Sequence, residues 1–126
     1  MNSAMRFSKP TILVVDDDQD ITANITDILE DCGYRADKAH DGATALAFAS
    51  RLKYDVALLD YKMPDIDGAT LFAKLRCVQP DLVAIMITAY AGSDGVKQAY
   101  QAGAWLVLKK PVDVKELLEQ IAKAIA

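Results

Sequence analysis

Four short, unbroken apolar runs punctuate the chain: Ile12-Leu13-Val14-Val15, Val56-Ala57-Leu58-Leu59, Leu82 to Ile87, and Trp105 to Leu108. A weaker run around Tyr34-Arg35-Ala36 suits an edge strand. Strands that are apolar at every position belong in a parallel sheet covered on both faces, because both sides of each strand are then buried. Between the runs the period changes to that of a helix. Ile21, Ile25, Ile28, Leu29 and Cys32 form one stripe, with Gly33 placed as a C-cap. Leu71, Phe72, Leu75 and Val78 form another, entered through Asp67-Gly68 and ended before Pro80. The last stripe, Val114, Leu117, Leu118, Ile121 and Ile125, opens on Asp113-Val-Lys-Glu116, an Asp variant of the capping box. Asp41 to Leu52 reads as an Ala-rich helix. Gly92 to Ala102 reads as a weaker one, its start loosened by Gly92 and Gly95 into a loop able to move. Strict alternation of five strands and five helices predicts an α/β doubly wound parallel sheet, a three-layer sandwich.

The chain has 126 residues, 52% of them apolar, which suits one compact domain; no linker or repeat divides it. Residues 1–9 read as an N-terminal extension and 10–126 as the domain. A net charge of −4 argues against an electrostatic grip on nucleic acid or an anionic membrane. Cys32 and Cys77 lack metal-type spacing, the N-terminus lacks a signal-peptide core, and the apolar stretch Leu82–Ala91 is too short to span a bilayer. A cytoplasmic domain with reduced thiols is expected. The acids are unevenly divided: fifteen are Asp and three are Glu, with Asp16, Asp17, Asp18 and Asp20 almost consecutive. Asp favours caps, turns and metal sites, where a short carboxylate is held near the backbone. Asp41, Asp67 and Asp113 suit caps and turns, and Asp20 is a further candidate.

In such a sheet the strand C-termini share one edge, and ligands bind there. Asp16, Asp17 and Asp18 follow the first run, Asp60 the third strand, Thr88 the fourth, and Lys109-Lys110-Pro111 the fifth. Helix capping accounts for any one of these, but it requires neither a Lys after the last strand nor paired Asp after the first. Two like charges about 4 Å apart repel by roughly 4 kcal/mol at an effective dielectric near 20. Gathering Asp16, Asp17 and Asp60 therefore calls for Lys110 and a hard divalent cation, Mg²⁺ before zinc. Such an ion keeps positions open for phosphate oxygens. Asp60, alone after its strand, is placed as a nucleophile forming an acyl phosphate, with Lys110 and Thr88 stabilising the transferring group. His40, in a His-Asp-Gly turn, reads as an exposed loop residue.

These residues carry a family likeness. Ile12-Leu-Val-Val-Asp-Asp17, Asp60-Tyr-Lys-Met-Pro-Asp-Ile-Asp-Gly68, Ile87-Thr-Ala89, Gly103-Ala104 and Lys110-Pro111 occur in order at the right strand ends. Through them the chain resembles the receiver domain of two-component response regulators, from Pro10 to Ala126. The resemblance implies a flavodoxin-like strand order, 2-1-3-4-5. It also implies phosphotransfer to Asp60 from the phosphohistidine of a sensor kinase or phosphotransfer protein. By the family pattern Asp17, Asp60 and the main-chain carbonyl of Lys62 ligate Mg²⁺, and Asp16 acts through water. Thr88 and Lys110 contact the phosphoryl group, Ala89 leaves room beside it, and Lys110–Pro111 is a cis peptide. Lys109 points to the opposite side as a surface charge. The face of helix 4, strand 5 and helix 5 then controls an output domain or partner, with dimerisation through that face left open.

Three positions depart from the family pattern. Val107 replaces the usual strand-5 aromatic that follows the Thr; Trp105, two residues earlier, reads as an anchoring aromatic or a substitute. Lys62 and Tyr90 flank the route of an attacking water, where their bulk is expected to slow hydrolysis of the acyl phosphate. An alternative reading is a Mg²⁺-dependent aspartyl-phosphate phosphatase resembling haloacid dehalogenases. The first acidic loop lacks the Thr of those enzymes, and the length leaves no room for a substrate cap. A degenerate receiver serving as a scaffold is disfavoured by retention of Asp16, Asp17, Asp60, Thr88 and Lys110. No turnover of an external substrate is expected, and nothing here reads a DNA groove. The end of the chain, one helix after the last strand, is compatible with a stand-alone regulator and with a receiver joined to an output domain.

Overall fold

The computed structural model describes residues 9–89 and 94–126; the expectations for Tyr90 and Gly92 lie outside the described residues. Strands and helices alternate: β1 (Thr11–Val15), α1 (Gln19–Asp31), β2 (Arg35–Ala39), α2 (Gly42–Ala49), β3 (Val56–Asp60), α3 (Gly68–Val78), β4 (Val83–Thr88), α4 (Asp94–Gln101), β5 (Leu106–Lys109) and α5 (Val114–Ile125). All neighbouring strands pair in parallel, in the order β2-β1-β3-β4-β5. The sheet is doubly wound, with β3 at its centre between β1 and β4.

Alternation along each strand explains the unbroken apolar runs. Leu13, Val15, Ala57, Leu59, Ala84 and Met86 enter one buried cluster with Ala45, Leu71, Phe72, Leu75 and Ala99 from α2, α3 and α4. Ile12, Val14, Val56, Leu58, Ile85 and Ile87 enter the other, with Ile25 and Leu29 of α1 and Leu117 and Ile121 of α5. Full burial of each large aliphatic side chain contributes about 1.5–3 kcal/mol, so these two layers hold the strand ends in place.

The helices differ in detail from the periodicity. Cys32 and Val78, assigned to buried stripes, are exposed, whereas Thr22 and Thr26 are buried on the inner face of α1. Their hydroxyls donate to the carbonyls of Gln19 and Thr22, at 3.0 and 2.8 Å, so burial strands no donor and leaves each methyl group for packing. Asp18, not Asp20, caps α1, and its Oδ1 accepts from the N–H groups of Asp20 and Ile21. Asp41, Asp67 and Asp113 cap α2, α3 and α5 as expected, and Gly33 follows α1 with φ +92°. The Ala-rich helix stops at Ala49 rather than Leu52. There Gln79 takes over its end: its amide donates to the carbonyls of Ala49 and Leu52 and accepts from the Tyr54 N–H.

One glycine sets the geometry of the ligand edge. A Cβ on Gly68 would lie 2.7 Å from the Asp60 carbonyl oxygen and 2.6 Å from Met86 Sδ. Only glycine lets α3 begin this close to the end of β3.

Candidate functional site

Among the described residues, Asp16, Asp17, Asp60, Lys62, Thr88, Ala89 and Lys110 lie at the C-terminal edge of the sheet, whereas Val107 lies within β5. Asp16, directly after β1, is buried; its N–H donates to the Ala39 carbonyl, and its Oδ1 accepts from the Asp18 N–H at 2.9 Å. Asp17 beside it is exposed. Asp60 ends β3 with 6% of its surface accessible, and the Lys62 N–H lies 3.4 Å from its Oδ1. Lys110 reaches in from the end of β5, with Nζ 2.9 Å from Asp16 Oδ2 and 3.4 Å from Asp60 Oδ2. Carboxylate oxygens of Asp16, Asp17 and Asp60 fall within 4.8 Å of one another. Buried Thr88 ends β4, and its carbonyl accepts from the Lys110 N–H at 2.8 Å. Lys110–Pro111 is cis, as the resemblance implied, and Lys109 is exposed.

Among the described residues, two cavities open at this edge. One, of about 200 Å³, is lined by Asp60, Lys62, Thr88, Ala89 and Lys110. The other, about 260 Å³ and largely apolar, runs between α1 and α5 and includes Ile21, Ile25, Val112 and Val114 as well as Asp16 and Asp60.

The charges explain what such a site needs. Burial, and then the neighbouring Asp16 carboxylate, push Asp60 up from 3.8 to about 6 against the pull of Lys110. Burial lowers the Lys110 ammonium, but its hydrogen bond to Asp16 and the charge of Asp60 outweigh this and raise it. The Lys110 ammonium is shared by Asp16 and Asp60, and the exposed Asp17 carboxylate lies beside that pair. The donor set is entirely hard oxygen and carries surplus negative charge, which fits Mg²⁺ or Ca²⁺ rather than a thiophilic metal.

The raised Asp60 has a stability consequence in metal-free protein. Below about pH 4 the carboxyl is protonated in both folded and unfolded chains, and its favourable contribution is complete. That contribution is lost as pH rises through about 6, because the folded state then carries a charge it disfavours. Melting curves in chelator are therefore expected to show Asp60→Asn gaining on the parent between about pH 4 and 7. A constant difference across that range contradicts the assignment.

Some expectations change here. His40 is half-buried, not an exposed loop residue: its Nε2 lies 3.0 Å from the Thr22 hydroxyl, tying the turn after β2 to the first turn of α1. Asp65, within the motif after β3, accepts from the Gly42 N–H at 3.0 Å and fastens that loop to the start of α2, a role nothing in the sequence points to. A carboxylate facing a helix N-terminus across 23 residues leaves no local sequence signal. Val107 pairs with Met86 and packs on the α3–α4 side, in place of a ring. Trp105 is 43% exposed at the other end of the strand, its N–H on the Ala84 carbonyl. Four residues of strand, about 13 Å, separate that level from Thr88, so Trp105 does not substitute for the missing aromatic. Gly95 lies inside α4 and not in a loop before it.

Comparison with known proteins bears on the same residues. A response regulator receiver domain model matches residues 12–122. A response regulator receiver protein from Anaeromyxobacter sp. (strain Fw109-5) is 38% identical over 107 residues, covering 85% of this chain and 45% of that protein. This chain spans about half the length of the first curated relatives it matches. A CheY-like receiver domain from Methanospirillum hungatei JF-1 superimposes with a TM-score of 0.90 at 35% identity, covering 94% of each chain. A response regulator from Burkholderia pseudomallei, solved with a phosphorylated aspartic acid, a calcium ion and citrate, gives 0.82 at 29% identity, covering 91% of this chain and 72% of that one. No helix among the described residues is long and apolar enough to cross a membrane. The chain belongs to the response regulator receiver domain family, the phosphorylation-dependent signalling domains of two-component systems.

Proposed function

We propose that Asp60 is the phosphoacceptor of this receiver and takes its phosphoryl group from the phosphohistidine of a sensor kinase or phosphotransfer protein. The carrying observation is the Lys110 ammonium lying between Asp16 and Asp60, with the exposed Asp17 carboxylate alongside. An Asp60 oxygen attacks phosphorus, the N–P bond breaks, and the electron pair returns to the imidazole. Asp16, Asp17, Asp60 and the Lys62 carbonyl would hold Mg²⁺, which supplies positive charge to the transferring oxygens. Lys110 neutralises further charge on those oxygens, and the Thr88 hydroxyl, at the same cavity, donates to one of them. Exposed Ala89 leaves that cavity open. The apolar cleft between α1 and α5 offers a seat for a donor helix beside Asp60.

The phosphorylated state then changes the α4–β5–α5 face, which acts on an output domain or partner and can support a homodimer. Residues 10–126 form the receiver, residues 1–9 an extension, and the domain is assigned to the cytoplasm, with no nucleic-acid or membrane contact of its own. Incubation with Mg²⁺ and a small phosphodonor is expected to load about one phosphoryl group per chain, without sustained turnover of a generic phosphate ester. Continuous hydrolysis of the ester would favour the phosphatase alternative.

Lys62, exposed at the mouth of the cavity, also bears on lifetime. With Tyr90 it is assigned to obstruct water on its way to the acyl phosphate. Lys62→Asn and Tyr90→Ala are each expected to shorten the half-life of the phosphorylated protein several-fold. Unchanged decay in both would remove this assignment.

A further inference from the structure

Two tyrosine hydroxyls fasten α4, and neither belongs to the residues assigned to phosphoryl chemistry. Tyr61 follows Asp60 directly. Its N–H donates to the Ile87 carbonyl at 3.1 Å and its carbonyl accepts from the Gly68 N–H at 2.6 Å, so its backbone is fixed between β4 and α3. The ring crosses to α4 and rests on Gly95, where an added Cβ would come within 2.7 Å of it. The hydroxyl donates to Gln98 Oε1 at 2.7 Å. From the far end of the same helix, the Tyr100 hydroxyl accepts from the Val107 N–H at 3.1 Å. β5 is the last strand of the sheet, and the Tyr100 side chain holds its Val107 N–H from outside the ladder.

We propose that Tyr61, Gln98 and Tyr100 carry the state of Asp60 through α4 to the edge of β5, in place of an aromatic partner at position 107. The proposal rests on Asp60 being the phosphoacceptor. Thr88 lines the Asp60 cavity, and only five residues separate it from Asp94, the first residue of α4. A rigid helix displaced from that end cannot keep both tyrosine bonds. It therefore has two discrete arrangements, bonded and released, and a phosphoryl group on Asp60 favours the released one. Tyr61 is a positioning residue in this scheme and touches no reacting atom.

The test uses ¹⁵N-labelled protein with Mg²⁺ and acetyl phosphate, the adduct being followed by intact mass and the switch by the Val107 and α4 amide resonances. In the parent, adduct formation should move the Val107 resonance. Tyr61→Phe removes one hydroxyl and is expected to raise the released population about fivefold. The Val107 resonance then moves toward its phosphorylated position before any donor is added. Gly95→Ala displaces the ring while keeping the hydroxyl, and should move the resonance along the same line. A Val107 resonance that stays at the parent position in both variants overturns the proposal, as does a phosphorylated parent in which it does not move. A parent that forms no adduct overturns the phosphoacceptor reading instead, and mass alone identifies that outcome.

Discussion

Magnesium is expected to raise the melting temperature of the parent protein by roughly 10 °C at a hundredfold excess over its Kd, and Asp17→Ala should remove most of that gain. Binding to the folded chain alone at that excess is worth about 2.7 kcal/mol. Asp17 is the informative position because it is exposed, whereas Asp16 and Asp60 are buried and held by Lys110. Its replacement should cost the metal-free fold about 0.5 kcal/mol or less, the usual range for a surface substitution. Loss of the magnesium-dependent increment thus separates ligation from folding. Titration by differential scanning fluorimetry, with EDTA and Ca²⁺ arms, measures it. Equal increments in parent and variant would exclude Asp17 as a ligand.

Lys110→Ala should produce effects of opposite sign on metal binding and on phosphorylation. In metal-free protein the ammonium lies 2.9 Å from Asp16 and 3.4 Å from Asp60, and its removal leaves two buried carboxylates facing each other. Breaking a fully buried pair costs about 3–5 kcal/mol; partial exposure of the Lys110 side chain reduces the expectation to about 2 kcal/mol. The liberated carboxylates should bind Mg²⁺ several-fold more tightly. The rate of adduct formation should nevertheless fall about a hundredfold or more, because a preorganised positive group no longer meets the charge that develops on the phosphoryl oxygens. Lys109→Ala, one residue away and directed to solvent, should change none of the three quantities. Chemical denaturation, metal titration and adduct kinetics on the two variants test this pattern. A Lys110 variant that binds metal more weakly and phosphorylates normally would reverse the assignment.

The candidate site was legible because it is made of residues that end apolar runs. Asp16, Asp17, Asp60, Thr88 and Lys110 sit where a buried strand stops, and in a parallel sheet all such stops share one edge. Topology converts four distant stretches of chain into one cluster without any knowledge of side-chain contacts. Burial was less legible wherever a polar group satisfies itself locally. Thr22 and Thr26 are not part of the apolar stripe of α1, yet their hydroxyls bond to carbonyls of their own helix and they pack inward. His40 is bonded to one of them, a partner 18 residues away that no pattern near His40 announces. Asp20 and Asp18 were hard to separate because either short carboxylate can cap a helix; the choice depends on where the α1 backbone begins. Gly95 looked like a breaker, but it is the place where the Tyr61 ring lies on the helix. A missing side chain reports equally on a turn and on a close approach.

The role proposed for Asp60 is that of a nucleophile made reactive by its crowded, partly neutralised surroundings. Intact mass of the parent and of Asp60→Asn, each incubated with Mg²⁺ and a small phosphodonor, tests it most directly. A single phosphoryl adduct is expected on the parent and none on Asp60→Asn. An unmodified parent, or an equal adduct on the variant, would contradict it.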